Sequence, residues 1–226
     1  MPTDFAVARS AVTLPSRLPQ VEPIALTARS DPFDDPLWVF EPKYDGLRAL
    51  VYSAARDCEI RTLCDHRPPR LGDLRNRLAE VLQGREAILD GEIVSLDRRG
   101  KPILEDLLRG EGYLALASFD LLWLDGVDLR GEALRDRKQR LASLLPEDTG
   151  PLYKVLTIEE HGRALFGAIR KMDLEGVVAK CKADPYTPST LWYKISNKEH
   201  SGIGRAEVGR QRARCLPASA ANTADH

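Results

Sequence analysis

The sequence predicts an α+β fold of antiparallel sheets flanked by helices, and three observations carry that prediction. Segments rich in β-formers recur through the body of the chain, among them "LRALVYSA", "LALASFDLLWL", "EGVVAK" and "LWYKIS". Residues 73–82 and 131–145 instead carry leucines at helical spacing. Neighbouring strand-like segments are separated by turn signals, as in "ADPYTPST", so antiparallel pairs are the expected arrangement.

The elements follow in order. Residues 1–36 are broken by proline and short polar groups ("TLPSRLPQVEP", "SDPFDDP") and read as an extended lead-in with turns. The body starts at Trp38. Residues 47–54 form a strand after Gly46, and "EIRTL" (59–63) alternates as its hairpin partner. "DLRNRLAEVL" puts Leu74, Leu78, Val81 and Leu82 on one helical face. "EAILDGEIVSLD" (86–97) reads as two strand pieces around Asp90-Gly91, which is either a tight turn or a bend within one strand. Residues 113–126 are nearly continuously apolar and read as a buried strand. Residues 131–145 form a helix with Leu134, Leu141, Leu144 and Leu145 inward. Thr157 to Glu160 has the spacing of a capping box and opens a helix to about Met172. Residues 175–180 and 191–196 are short β-segments, and from Gly202 the chain turns to short helix or coil and a disordered end. No internal repeat is present.

Composition sets the class. The chain has 226 residues, 43% hydrophobic and 30% charged, enough for one substantial domain or two small ones. The formal net charge of -1, from 33 basic and 34 acidic residues, argues against a dedicated non-specific DNA binder and leaves a local basic face open. The four cysteines, Cys58, Cys64, Cys181 and Cys215, lack zinc or disulfide spacing. The N-terminus lacks an unbroken apolar run, and no stretch approaches the roughly 20 apolar residues of a membrane helix. A cytoplasmic, monomeric protein with no membrane association is expected.

Several motifs carry chemistry only in combination. "EPKYDGLR" (41–48) alone is a polar turn ending in glycine. Its other reading makes Lys43 a covalent nucleophile, which requires a neutral amine and hence burial or neighbouring cations, such as Arg48. Glu92, in "DGEIV", alternates outward or points into a site, because a buried unpaired carboxylate is costly. Phe119 is a core ring or a ring offered to a base. Glu175 and Lys180 cap a short strand, or hold a metal ion and a phosphate. Lys194 is an outward strand lysine or another phosphate contact.

The order K-x-D-G-x-R, D-G-E, F-D-L-L, E-G-V-V-A-K and W-x-K resembles the covalent nucleotidyltransferase superfamily, over about Pro23 to Arg210. It is most similar to the adenylation domain of ATP-dependent DNA ligases, in particular the ligase domain of bacterial end-joining enzymes. The resemblance implies a covalent nucleotidyltransferase fold (an ATP-grasp-like adenylation domain), with ATP and Mg²⁺ or Mn²⁺ as cofactors. It implies that Lys43 attacks the α-phosphate of ATP, that the AMP moves to a 5′-phosphate, and that a 3′-hydroxyl then seals the nick. It gives Glu41 the adenine amino group, Arg48 the ribose and phosphates, and Glu92 the ribose or the metal. Phe119 stacks on adenine, Glu175 holds metal, and Lys180 and Lys194 contact phosphate. The implied partners are nicked or broken DNA and other repair or end-joining proteins. An RNA ligase, and a non-catalytic nucleotide- or nucleic-acid-binding relative, remain the alternatives.

Three departures stand out. An S-R-x-G motif is expected after the lysine, but Cys64 and Asp65 fall there, with Arg61 and Arg67 as the nearby arginines. Ser196 replaces the second lysine of a W-x-K-x-K ending, with Lys198 two residues on. The family continues into an OB-fold domain, and this chain is expected to lack one. The resulting expectation is a lead-in at 1–22, a nucleotidyltransferase domain at 23–204, and a basic, disordered tail at 205–226 containing Arg205, Arg210, Arg212 and Arg214.

Overall fold

The computed structural model describes residues 18–63, 67–98, 100–145 and 150–200. Cys64, Asp65, Cys215, the basic tail and most of the lead-in lie outside the described residues. The strands are β1 (Leu26–Ala28), β2 (Asp35–Lys43), β3 (Leu47–Ala54), β4 (Asp57–Thr62), β5 (Ala87–Leu96), β6 (Tyr113–Leu124), β7 (Val127–Asp128), β8 (Leu152–Lys154), β9 (Ile158–Glu160), β10 (Gly176–Cys181) and β11 (Trp192–Ser196). The helices are α1 (Leu71–Leu82), α2 (Leu104–Arg109), α3 (Leu134–Leu144) and α4 (Gly162–Lys171).

Two sheets organise the chain. One has the order β1-β11-β10-β2-β9, the other β4-β3-β5-β6-β7 with β8 also on β6. Pairing is antiparallel except for β1 on β11 and β8 on β6. Each sheet has a helix-covered face. Leu74, Leu78 and Leu82 of α1 pack with Leu89, Leu116 and Leu141 against the larger sheet. Burying each such leucine contributes about 1.5–3 kcal/mol. Leu165 and Ile169 of α4 pack with Phe40, Val177 and Ala179 on the other. A third cluster joins residues of both sheets, with Leu50, Tyr52, Ile88 and Leu122 against Val178, Trp192 and Ile24. Leu18 and Val21, inside the expected lead-in, pack on this cluster.

The predicted strand at 47–54 forms as β3, with β4 as its hairpin partner. Asp90-Gly91 is not a hairpin turn: β5 runs through it, and its pairing with β6 shifts register there. The capping-box reading of Thr157 to Glu160 is overturned. Residues 158–160 pair with β2 as β9, Glu160 takes a positive φ of 65°, and α4 begins at Gly162. Edge pairing to β2 outcompetes a local cap. The helix α2 and the short strands β1, β7 and β8 were not predicted from the pattern.

Candidate active site

Register decides which side chains meet. Lys43 is the last residue of β2, opposite Gly176 of β10, and Gly176 is opposite Ser196 of β11. Two residues along, Glu41 is opposite Val178, and Val178 is opposite Lys194. Lys180 lies opposite Val39 and Trp192. Period-two alternation therefore aligns Lys43, Glu41, Val178, Lys180, Trp192 and Lys194 on one face of the smaller sheet. Val177 and Ala179, with the other parity, pack under α4.

The larger sheet supplies the opposing wall. Arg48 of β3 pairs with Glu92 of β5. Phe119 is skipped where Asp90 pairs with Asp120 and Gly91 with Ser118. Such a bulge re-aims a side chain, and here it accompanies the turn of the Phe119 ring into the cleft. Gly46 has a steric reason to be glycine. A Cβ there would lie 2.3 Å from the Ile93 carbonyl oxygen and 2.9 Å from the Glu92 side chain.

Between the walls is a cleft of about 420 Å³, lined by Leu26, Glu41, Pro42, Lys43, Tyr44, Arg48, Glu92, Phe119, Val178, Lys180 and Trp192. Six of the residues singled out from sequence, Glu41, Lys43, Arg48, Glu92, Phe119 and Lys180, thus line one cleft. Glu175 reaches Lys43, with its Oε2 2.5 Å from the ammonium. Lys194 shares the sheet face by register but is not among the lining residues.

The Glu41 end is the more buried. Glu41 is 2% exposed and accepts hydrogen bonds from both Lys138 and Lys180, the latter at 2.7 Å. Burial works to raise its carboxyl pKa, but the two ammonium groups override it and hold the pKa below the usual range. The Lys180 ammonium lies 4.1 Å from the Phe119 ring centroid and 3.9 Å from that of Trp192. Burial, with help from Lys138, lowers its pKa to about 8. Lys43 lies opposite Gly176, four residues from Lys180 along β10, a backbone separation of roughly 13 Å.

Arg48 forks onto Asp90 at 3.1 and 2.7 Å and donates to the Ile24 carbonyl. Burial lowers its pKa, but Asp90 more than offsets this and raises it. Tyr186 also donates to Asp90, at 2.6 Å. Behind Phe119, Asp120 and Arg137 form a fully buried bidentate pair at 2.9 and 2.8 Å.

Lys43 does not sit in the cation cluster expected around a nucleophilic lysine. Its charged partner is the Glu175 carboxylate, while the clustered ammonium groups, Lys138 and Lys180, lie at Glu41. Arg61 is also outside the cleft. It pairs with Glu59 at 2.7 Å and stacks 4.1 Å from the Tyr52 ring centroid. Lys138, Asp90, Tyr186 and Trp192 escaped the sequence reading as site residues. Lys138 sits in the charged run "RDRKQR", where only the leucine stripe has a pattern. The Asp90–Tyr186 bond spans 96 residues.

Residues 29–196 match the family of the ATP dependent DNA ligase domain. The chain belongs to that family. It is an α+β ligase-type nucleotidyltransferase domain, 36% identical over 170 residues to the multifunctional non-homologous end joining protein LigD of Pseudomonas aeruginosa, covering 70% of this chain and 20% of the relative. The corresponding DNA repair protein LigD of Mycobacterium tuberculosis is 31% identical over 182 residues, covering 78% and 23%. Among solved structures, the ligase domain of Mycobacterium tuberculosis LigD superimposes with a TM-score of 0.66 at 30% identity, covering 77% of this chain and 58% of that one. A mycobacterial DNA ligase D complexed with ATP and MES gives 0.64 at 28%, covering 77% and 60%. The ligase-family chain thus spans about a fifth of the length of these two LigD proteins. Among its described residues, no helix is long and apolar enough to cross a membrane.

Proposed function

We propose that this chain performs ATP-dependent adenylation of Lys43 and passes the AMP to a 5′-phosphate at a DNA nick or break. The observation that carries this reading is the convergence of six residues from five strands on one cleft, with Lys43 at the open end of β2. The Lys43 amine, once deprotonated, attacks the α-phosphorus of ATP. The new P–N bond forms as the bond to pyrophosphate breaks. Phe119 is assigned to the base, Glu41 to its amino group, and Arg48 to the ribose and phosphates. Lys194 is assigned to phosphate, and Lys180 to support of Glu41 and of the ring.

Glu92 and Glu175 are the carboxylates proposed for a divalent ion. Among the described residues no cluster of three or more His, Cys, Asp or Glu forms a protein cage. That donor set suits an ion carried in on phosphates and held by one or two carboxylates, as Mg²⁺ usually is. Such an ion supplies neutralisation of phosphate charge when bound. The end-joining relatives suggest DNA breaks as the setting.

The test is incubation with α-labelled ATP and Mg²⁺, followed by denaturation. Label on the wild type that is lost in Lys43→Ala is the expected result. A nicked DNA duplex should then discharge the label as DNA-adenylate or sealed strand. No label, despite measurable ATP binding, would contradict the reading. Discharge by nicked RNA alone would redirect it to RNA.

A further inference from the structure

The Glu41 carboxylate is gripped from two elements at once. Lys180 of β10 holds Oε2 at 2.7 Å, and Lys138 of α3 holds Oε1. The Lys138 ammonium also donates to the Phe119 carbonyl at 3.2 Å and to the Thr157 hydroxyl at 3.2 Å. Thr157 in turn donates to Glu41 Oε1 at 3.3 Å. A single lysine from outside the recognisable motifs therefore ties the carboxylate to the backbone that presents the ring. Its neighbour Arg137 anchors the same stretch through Asp120, so helix and bulge are fixed at two successive residues.

We propose that Lys138 is a positioning residue for nucleobase choice. It holds Glu41 as an acceptor-only carboxylate, in register with the Phe119 ring, so that the cleft takes a base bearing an exocyclic amino group and rejects one bearing a carbonyl there. This rests on the nucleotide-binding reading above. The physical reason is donor–acceptor matching. An ionised carboxylate has no proton to give, so a 6-oxo purine sets two acceptors against each other in a buried site. The 6-amino group donates instead. Lys138 maintains this in two ways. Its charge opposes the burial that would otherwise favour a protonated Glu41, and a protonated Glu41 would be able to donate. Its bonds to Phe119 and Thr157 keep the carboxylate from rotating away. Lys180 supplies a second cation and lies over the Phe119 ring, whereas the hydrogen bonds to the Phe119 carbonyl and the Thr157 hydroxyl come from Lys138.

The test is equilibrium binding of ATP and of ITP, which differ at this position. It is run in a Lys43→Ala background so that no adduct forms. The parent should prefer ATP by at least about tenfold, since a mismatched buried polar group costs that much. Lys138→Met should bring the two within about threefold, and Lys138→Arg should restore the preference. Should Lys138→Met fail to fold, as judged by circular dichroism, Lys138→Gln is read the same way. A folded Met or Gln variant that keeps the parental preference overturns the proposal. A parent that binds ATP and ITP equally also overturns it, and leaves the nucleotidyltransferase reading standing. A parent that binds neither overturns both.

Discussion

The two ends of the cleft are built differently. At the Glu41 end a carboxylate that is 2% exposed is held by two ammonium groups, beside two aromatic rings and in front of a fully buried ion pair. At the Lys43 end the Lys43–Glu175 ion pair, with side chains 11% and 18% exposed, stands at the end of β2. Among the described residues, only the antiparallel neighbour β10 pairs with residues 41–43 of β2, because pairing with β9 stops at Phe40. Pro42, which has no N–H to donate, is tolerated on that open edge. The difference teaches how such a site divides its work. The groups proposed to recognise a base are preorganised and buried, and preorganised dipoles act without reorganisation cost. Lys43, the group proposed to react, is instead paired with the Glu175 carboxylate and is partly open to solvent.

The largest effect should come from removing the support behind the buried end. Asp120→Asn leaves the Arg137 guanidinium without its counter-charge at a fully buried site. Breaking such a pair costs about 3–5 kcal/mol. Urea unfolding should show the corresponding fall in midpoint. A smaller effect would mean that the back of the site is less rigid than its geometry implies.

Phe119→Ala comes next. Loss of a base-stacking ring costs about 1–3 kcal/mol, or roughly fivefold to 150-fold in ATP affinity, with little loss of label once ATP is saturating. Titration calorimetry separates the two. A variant that binds normally but fails to label would move Phe119 from recognition to chemistry.

The pH dependence of stability should carry the signature of Lys180. Its pKa is lowered from 10.5 to about 8, chiefly by burial. A lysine with a depressed folded-state pKa binds fewer protons folded than unfolded between those values. Its contribution therefore makes stability rise with pH from about 8 to 10.5, and below about 8 the cost of the buried charge is present in full. Urea melts across this window should show a more positive slope for wild type than for Lys180→Met. Equal slopes would place the ammonium in a wetter site.

The smallest effect belongs to Arg61→Ala. Its pairing with Glu59 and stacking on Tyr52 hold it outside the cleft, so ATP affinity should change by no more than about 0.5 kcal/mol. A larger loss would give Arg61 the role of the missing arginine motif.

What was legible in the sequence follows from the range of the interactions. The strand at 47–54 and the face of α1 were readable because periodicity is local. Six cleft residues were readable because each lies within a short motif whose order is distinctive. Thr157 to Glu160 misled because a cap and an edge strand compete for the same residues, and β2 decides the outcome. Lys138 was hidden because its contact with Glu41 spans 97 residues, and nothing in "RDRKQR" marks one cation over its neighbours. The bulge at Phe119 is likewise a property of the pairing with β5, which the run "SFDLLWL" does not reveal.

The contrast between a recognising end and a reacting end is tested most directly by measuring ATP affinity and covalent adduct together in Lys43→Ala. ATP binding should stay close to that of the wild type. The acid-labile adenylate, mapped in the wild type to the β2 peptide containing Lys43, should be absent from the variant. An adenylate that persists, or maps to another residue, would contradict the account, as would loss of ATP binding together with the adduct.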